Sequence, residues 1–249
     1  ILLTLCHCMS KKVINQKSNL SSELLNSIES DFNFAESPIN RLKNTNNYYK
    51  DNTPGIDKKG ELDKLKEQIN SIEDCSLKNN SKRIIVGDGN INSPVMLIGE
   101  APGAEEDQTG LTFKGEVGDL LKKMLLAIDI KKKDIYSTYV INFRPPEDRK
   151  PTSSEIKRYS KFLQEHISII RPKIIILMGS SAMEALTGLN SKISTERGKW
   201  KEVIIKNTNY DVIITFNPSY LLRVPENKKY SWEDLKKIKQ KIYDLKLNI

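Results

Sequence analysis

Apolar residues fall along this chain in two rhythms, one helical and one that alternates helix with strand. Leu24, Leu25, Ile28 and Phe32 recur at helical intervals within residues 20–43. Leu62, Leu65, Ile69 and Ile72 share one face of a second predicted helix over 62–72. Between these lies Asn44 to Gly60, polar and carrying Pro54-Gly55, which reads as a linker. From Arg83 onward, short apolar runs predict strands at 84–86, 95–98, 135–141, 173–178 and 212–216. Amphipathic stretches between and after them predict helices at 116–128, 153–169, 180–187 and 231–246. Alternation of this kind implies an α/β fold: a three-layer α/β/α sandwich around a central, mostly parallel sheet. The expected organisation is a short leader at 1–8, an N-terminal helical segment at 9–43, a linker at 44–60 and one domain over 61–249.

Composition changes the picture in three ways. The net charge of +8 favours a polyanionic partner, nucleic acid first, although Lys and Asn are abundant throughout. Residues 223–249 hold eight Lys or Arg against four acids, so the end of the domain is locally basic. Three cysteines (Cys6, Cys8, Cys75) and two histidines (His7, His166) are sparse for metal or disulfide chemistry. Cys6-His7-Cys8 is too cramped for a zinc site without further ligands, so no metal site is expected there. Few thiols fit a reducing, cytoplasmic compartment. The apolar start Ile1–Cys8 is shorter than a signal core or a membrane span, and Met9-Ser-Lys-Lys reads as the expected start. A soluble monomer without membrane contact is the expectation.

Candidate chemistry sits where strands run into loops. Val95-Met96-Leu97-Ile98 leads into Gly99-Glu100-Ala101-Pro102-Gly103, followed by Glu106 and Phe113. Glycines let a ligand approach the backbone, and a neighbouring carboxylate can hold or polarise a water. Tyr139-Val140-Ile141 leads into Arg144-Pro145-Pro146, where the prolines end regular structure and fix a loop bearing Arg144 and Arg149. Guanidinium forks suit phosphate. The run 212–216 leads into Asn217-Pro218-Ser219-Tyr220-Leu221-Leu222-Arg223. There a short helix start offers backbone amides to phosphate, and an apolar wedge stands beside a cation. Loops leaving the carboxyl ends of parallel strands form the ligand crevice of such a sheet. Each feature taken singly is also compatible with plain structural duty.

Taken together and in order, these segments resemble the type-4 uracil-DNA glycosylases. GEAPGAEEDQTGLTFKGEVGDLL at 99–121, TYVINFRPPEDRKP at 138–151, RPKIIILMG at 171–179 and NPSYLLR at 217–223 match the family's four blocks in sequence and spacing, over roughly residues 75–246. The resemblance implies a uracil-DNA glycosylase-like fold. It also implies excision of uracil from DNA in base-excision repair, with downstream repair enzymes as possible partners. On that reading Phe113 stacks on the flipped base, and Gly99, Ala101, Gly103 and Tyr139 line the pocket. Glu100, Glu106 and Asn217 are the catalytic candidates. Arg144, Arg149, Ser219, Tyr220, Leu221, Leu222 and Arg223 face the DNA, with Ser219 on phosphate and Leu221 or Leu222 filling the gap left by the base.

The chain departs from the family at defined positions. Tyr139 stands where the family reads the pyrimidine edge with an asparagine amide; a phenol hydroxyl makes one such bond, not the pair. Asn217 replaces a histidine, although mismatch-type uracil glycosylases also carry N-P-S there. Asp148 replaces a loop asparagine, and Thr112, Lys114 and Val117 alter the surroundings of Phe113. The family's four-iron cluster is held by four cysteines, and the matching positions here are Ile72, Cys75, Phe143 and Tyr159. A single thiolate cannot hold such a cluster, so no cofactor is expected. Two readings stand at this point: an active uracil-DNA glycosylase without a cluster, or a DNA-binding homologue of the same fold with lost or altered base excision, for example on hypoxanthine.

Overall fold

The computed structural model describes residues 57–73 and 75–249. The expectations for the leader, the 9–43 helical segment, linker residues 44–56 and the Cys6-His7-Cys8 cluster lie outside the described residues. The Asp57 side chain accepts a hydrogen bond from the Gly60 amide and caps α1 (Lys58–Asn70). That helix therefore begins inside the stretch read as linker, because a cap residue in polar sequence looks like loop.

Chain order continues through α2 (Ser76–Asn80), β1 (Asp88–Gly89), β2 (Val95–Gly99), α3 (Ala104–Thr109), α4 (Gly115–Leu126) and β3 (Tyr136–Tyr139). Next come α5 (Ser153–Ile170), β4 (Ile174–Met178), α6 (Ser180–Thr187), α7 (Ile193–Glu196) and β5 (Trp200–Ile205). The domain closes with β6 (Thr208–Thr215), α8 (Pro218–Arg223) and α9 (Lys228–Asp244). One six-stranded sheet has the order β1-β3-β2-β4-β6-β5. The four central strands run parallel, and antiparallel β1 and β5 close the edges. Alternate strand residues point to opposite faces. Met96, Ile98, Ile175, Leu177, Val212 and Ile214 pack with α1, α5 and α6 on one side. Val95, Leu97, Ile174, Ile176 and Ile213 pack with α4, α8 and α9 on the other. The three-layer α/β/α sandwich with a mostly parallel sheet is thus the observed architecture.

Two strand expectations change. Residues 84–86 form no strand; they run beside the sheet, with the Ile85 amide on the Asn142 carbonyl and the Asn142 side-chain amide on the Ile85 carbonyl. The last strand begins earlier than 212 and is the second arm of a hairpin with β5. The turn between them is the pair Lys206-Asn207, both at positive φ (46° and 64°), which matches the twist of a two-residue hairpin. Lys201 and Glu202 break the apolar run in β5, so this edge strand has only a weak sequence signal.

His166 on α5 is buried beneath the sheet, with Nε2 3.0 Å from the Tyr136 hydroxyl. Burial pushes its pKa down to about 3 from 6.5, so the ring is neutral in the folded state at ordinary pH. The unfolded chain takes up this proton below pH 6.5 and the folded chain does not, so falling pH favours unfolding. Urea titrations between pH 6.5 and pH 5 are expected to show stability falling by up to about 1.4 kcal/mol per pH unit from this group. His166→Gln flattens that dependence, and an unchanged slope contradicts the assignment.

Candidate active site

The register pairs Gly99 of β2 with Tyr139 of β3, and Met178 of β4 with Thr215 of β6, so the carboxyl ends of all four parallel strands share one edge. A cavity of about 460 Å³ opens there. Its walls bring together Glu100, Ala101, Gly103, Glu106, Phe113, Tyr139, Arg149, Asn217, Ser219, Leu222 and Arg223, drawn from three separate segments of the sequence.

Phe113 is the wall's most constrained residue. It is buried with φ at +51°, a backbone region that bulky side chains avoid. Two neighbours hold it there. Its amide donates to the Tyr139 hydroxyl at 2.8 Å, and its carbonyl lies against Gly118, where a Cβ would come within 1.9 Å of the oxygen. The Phe113 and Tyr139 rings are 4.9 Å apart at 40°. Both rings close over Gly99, where a side chain would strike each of them. Gly99 therefore shapes the pocket from beneath without lining it.

Glu106 is almost fully buried and its carboxylate is occupied by three donors. Oε2 accepts from the Gly103 amide at 3.0 Å, and Oε1 accepts from the Lys114 amide at 2.9 Å and the Tyr139 hydroxyl at 3.3 Å. One carboxylate thus ties together both ends of the 103–114 loop and the end of β3. Asp107 beside it accepts from the Ser81 hydroxyl and from the Lys82 and Arg83 amides, fixing α3 to the segment before β1. Burial raises the Tyr139 pKa well above the usual tyrosine range, with the Glu106 charge adding to it. The Tyr139 hydroxyl is engaged inward on both sides, which corrects the expectation that it makes a bond along a pyrimidine edge. What Tyr139 offers a ligand is its ring.

Glu100 is half-buried and accepts a 2.5 Å hydrogen bond from the Ser181 hydroxyl in the first turn of α6. Asn217 caps α8, its Oδ1 accepting from the Ser219 amide at 3.0 Å. Its Nδ2 is then the donor end left for a ligand. Of the leucine pair, Leu221 is completely buried under the loop and Leu222 reaches the surface beside the cavity. Adjacent positions on a helix face different ways, so Leu221 is a core residue and not a candidate wedge. Tyr220 turns away from the cavity and packs on Phe216, ring centroids 5.0 Å apart. Arg144 forks onto Asp148 (2.7 and 3.0 Å), and Arg149 forks onto Glu155 (2.7 and 2.9 Å). Exposed pairs of this kind are screened by water and contribute little, so either guanidinium can exchange its carboxylate for another anion. Arg144 lies outside the cavity wall.

Sequence reasoning missed a buried cluster beneath Phe216. Asp234 of α9 accepts from Arg197 Nε at 3.0 Å and from the Thr215 hydroxyl at 2.9 Å, and Arg197 also reaches the Tyr230 carbonyl. Burial pushes the Asp234 carboxyl up, while Thr215 and Arg197 pull it down. The cluster ties the end of β6 to α9 and thereby sets the start of the Asn217 loop. A signal existed: Asp234 falls among Ser231, Leu235 and Ile238 on the buried face of its helix, and a lone acid on such a face implies a buried partner.

The family's cluster positions form a packed contact instead of a ligand shell. Cys75 Sγ lies 3.3 Å from the Tyr159 hydroxyl, and Phe143 and Tyr159 are buried in the same apolar core, with Ile72 against it. One thiol and three side chains without a sulfur do not fit a four-iron cluster.

Comparison with known proteins agrees with this geometry. A family model described as the uracil DNA glycosylase superfamily matches residues 86–238, a span that contains every wall of the cavity. The chain belongs to the uracil-DNA glycosylase superfamily. It is similar to a type-4 uracil-DNA glycosylase of Thermotoga maritima, 35% identical over 178 residues that cover 70% of this chain and 91% of the relative. Type-4 enzymes of Pyrobaculum aerophilum and Archaeoglobus fulgidus are each 33% identical, over 66% and 71% of this chain and 86% and 91% of their own lengths. Within this superfamily domain, the Tyr139 hydroxyl is a joint between the loop and the sheet. Tyr139→Phe leaves the buried Phe113 amide unpaired, and urea unfolding is expected to show a loss of about 1–3 kcal/mol. An unchanged midpoint contradicts that role.

Proposed function

We propose that this chain is a DNA glycosylase that removes uracil and leaves an abasic site in base-excision repair. The observation that carries the reading is the convergence of the Gly99–Phe113 loop, the end of β3 and the Asn217–Arg223 segment on one cavity at the strand ends. The relatives' names favour uracil over hypoxanthine.

A base inside a duplex is out of reach, so the nucleotide must first leave the stack. The flipped ring lies against Phe113, with the Tyr139 ring behind it. Leu222 enters the gap, while Arg223, Arg149 and the Ser219 hydroxyl hold the phosphates. The N-glycosidic bond breaks with its electron pair going to uracil N1, and the charge spreads onto the uracil oxygens. Asn217 Nδ2 and the Ala101 amide donate to that developing anion, the Gly103 amide being taken up by Glu106. The sugar cation is captured by a water held at Glu100, which takes the water's proton. Glu106, engaged by three donors, positions the loop. We infer further that the enzyme works without an iron–sulfur cluster, the Cys75–Tyr159 contact and its aromatic neighbours filling that space. It is expected to act as a cytoplasmic monomer that hands abasic DNA to downstream repair enzymes; among the described residues no helix is long and apolar enough to cross a membrane.

Asn217→Asp separates cap from catalyst, since aspartate also caps a helix but has no N–H to donate. Single-turnover release of uracil from a labelled oligonucleotide is expected to slow about 10²–10³-fold, with the unfolding midpoint unchanged. A rate close to the parent's contradicts the role of Asn217. Phe113→Ala is expected to slow release about tenfold or more through lost stacking, and an unaffected rate removes Phe113 from the pocket.

A further inference from the structure

A groove of about 740 Å³ lies across α8 from the base cavity. Sequence neighbours divide between the two: Arg149, Asn217 and Ser219 line the cavity, whereas Lys150, Phe216 and Tyr220 line the groove. The two sites are therefore lined by adjacent residues of the same two segments. Lys150, Lys192 and Arg197 supply the groove's cations, Phe216, Tyr220 and Tyr230 its aromatic rings, and no carboxylate lines it among the described residues. Asp234 neutralises Arg197 from beneath, so the charge facing the groove comes from the two lysines. The Arg197 guanidinium lies 5.6 Å from the Phe216 centroid and 5.3 Å from that of Tyr230. Tyr230 is 43% exposed, with Lys229 beside its ring.

Cations for phosphates beside aromatic faces for bases are what an unpaired strand requires. A duplex buries its base faces in its own stack, whereas an unpaired base can lie against the part of the Tyr230 ring that Arg197 and Lys229 leave exposed. We propose that this groove seats the unpaired strand flanking the flipped nucleotide, so that the protein grips single-stranded DNA through Tyr230 and Lys192. The inference rests on the glycosylase reading for which strand enters, and it adds the preferred form of the substrate.

The test is fluorescence anisotropy of the full chain with a short, undamaged labelled single strand and with the same sequence as duplex. Tyr230→Ala is expected to weaken single-strand binding about tenfold, and Tyr230→Phe, which keeps the ring, to retain it. Lys192→Ala is expected to lower the slope of log affinity against log salt by about 0.7 on the single strand. Duplex affinity stays at the parent's level in both alanine variants. Unchanged single-strand affinity in Tyr230→Ala, or equal weakening on both forms, overturns the proposal. Uracil release by the parent chain is followed in parallel. Tyr230-dependent strand binding without uracil release supports the groove and removes the glycosylase reading; release of uracil with Tyr230→Ala binding normally does the reverse.

Discussion

The Glu106 carboxylate is the interaction on which the site depends. Three donors from separate parts of the chain meet on it: the Gly103 amide, the Lys114 amide and the Tyr139 hydroxyl. Hydrogen bonds to a buried charged group are among the stronger ones, about 1.5–3 kcal/mol each, because the charge has no water to fall back on. Through them the loop after β2 is closed into a ring, and the Tyr139 hydroxyl passes the constraint on to Phe113. The strained φ of Phe113 persists because its amide and its carbonyl are both fixed from outside. Pocket shape follows from that chain of contacts.

Tyr139 gains a different meaning from this arrangement. Read as a substitute for an edge-reading amide, it looks like a loss. In the fold its hydroxyl is structural and its ring backs Phe113, so that end of the pocket is aromatic. On the proposed function, discrimination then falls to the Ala101 amide and to Asn217. The Cys75–Tyr159 contact tells a parallel story, with aromatic packing where the family's cysteines would stand.

Much of this was legible in the residues. The apolar runs at 95–98 and 173–178 became β2 and β4 because fully buried parallel strands leave a continuous signal. The amphipathic stretch at 153–169 became α5, which starts at the expected Ser153 behind a capping box of Thr152 and Glu155. The edge hairpin was not legible, since one-sided exposure mixes charges into β5. Nor was the split between Leu221 and Leu222, which depends on the phase of a six-residue helix. The partners of Arg144 and Arg149 were hidden for another reason. Both arginines sit in an irregular loop, where a carboxylate four or six residues further on, in the loop or in the first turn of α5, carries no periodicity that announces a pair.

The central claim is that this pocket, with Tyr139 and Asn217 at its edge, still selects and releases uracil. Alkali-sensitive cleavage of end-labelled oligonucleotides bearing one uracil, one hypoxanthine or no lesion tests it most directly. The account predicts breaks at uracil alone, accumulating over many turnovers per protein molecule. Salt-sensitive binding of all three strands without a break at uracil, or breaks at hypoxanthine in preference to uracil, would contradict it.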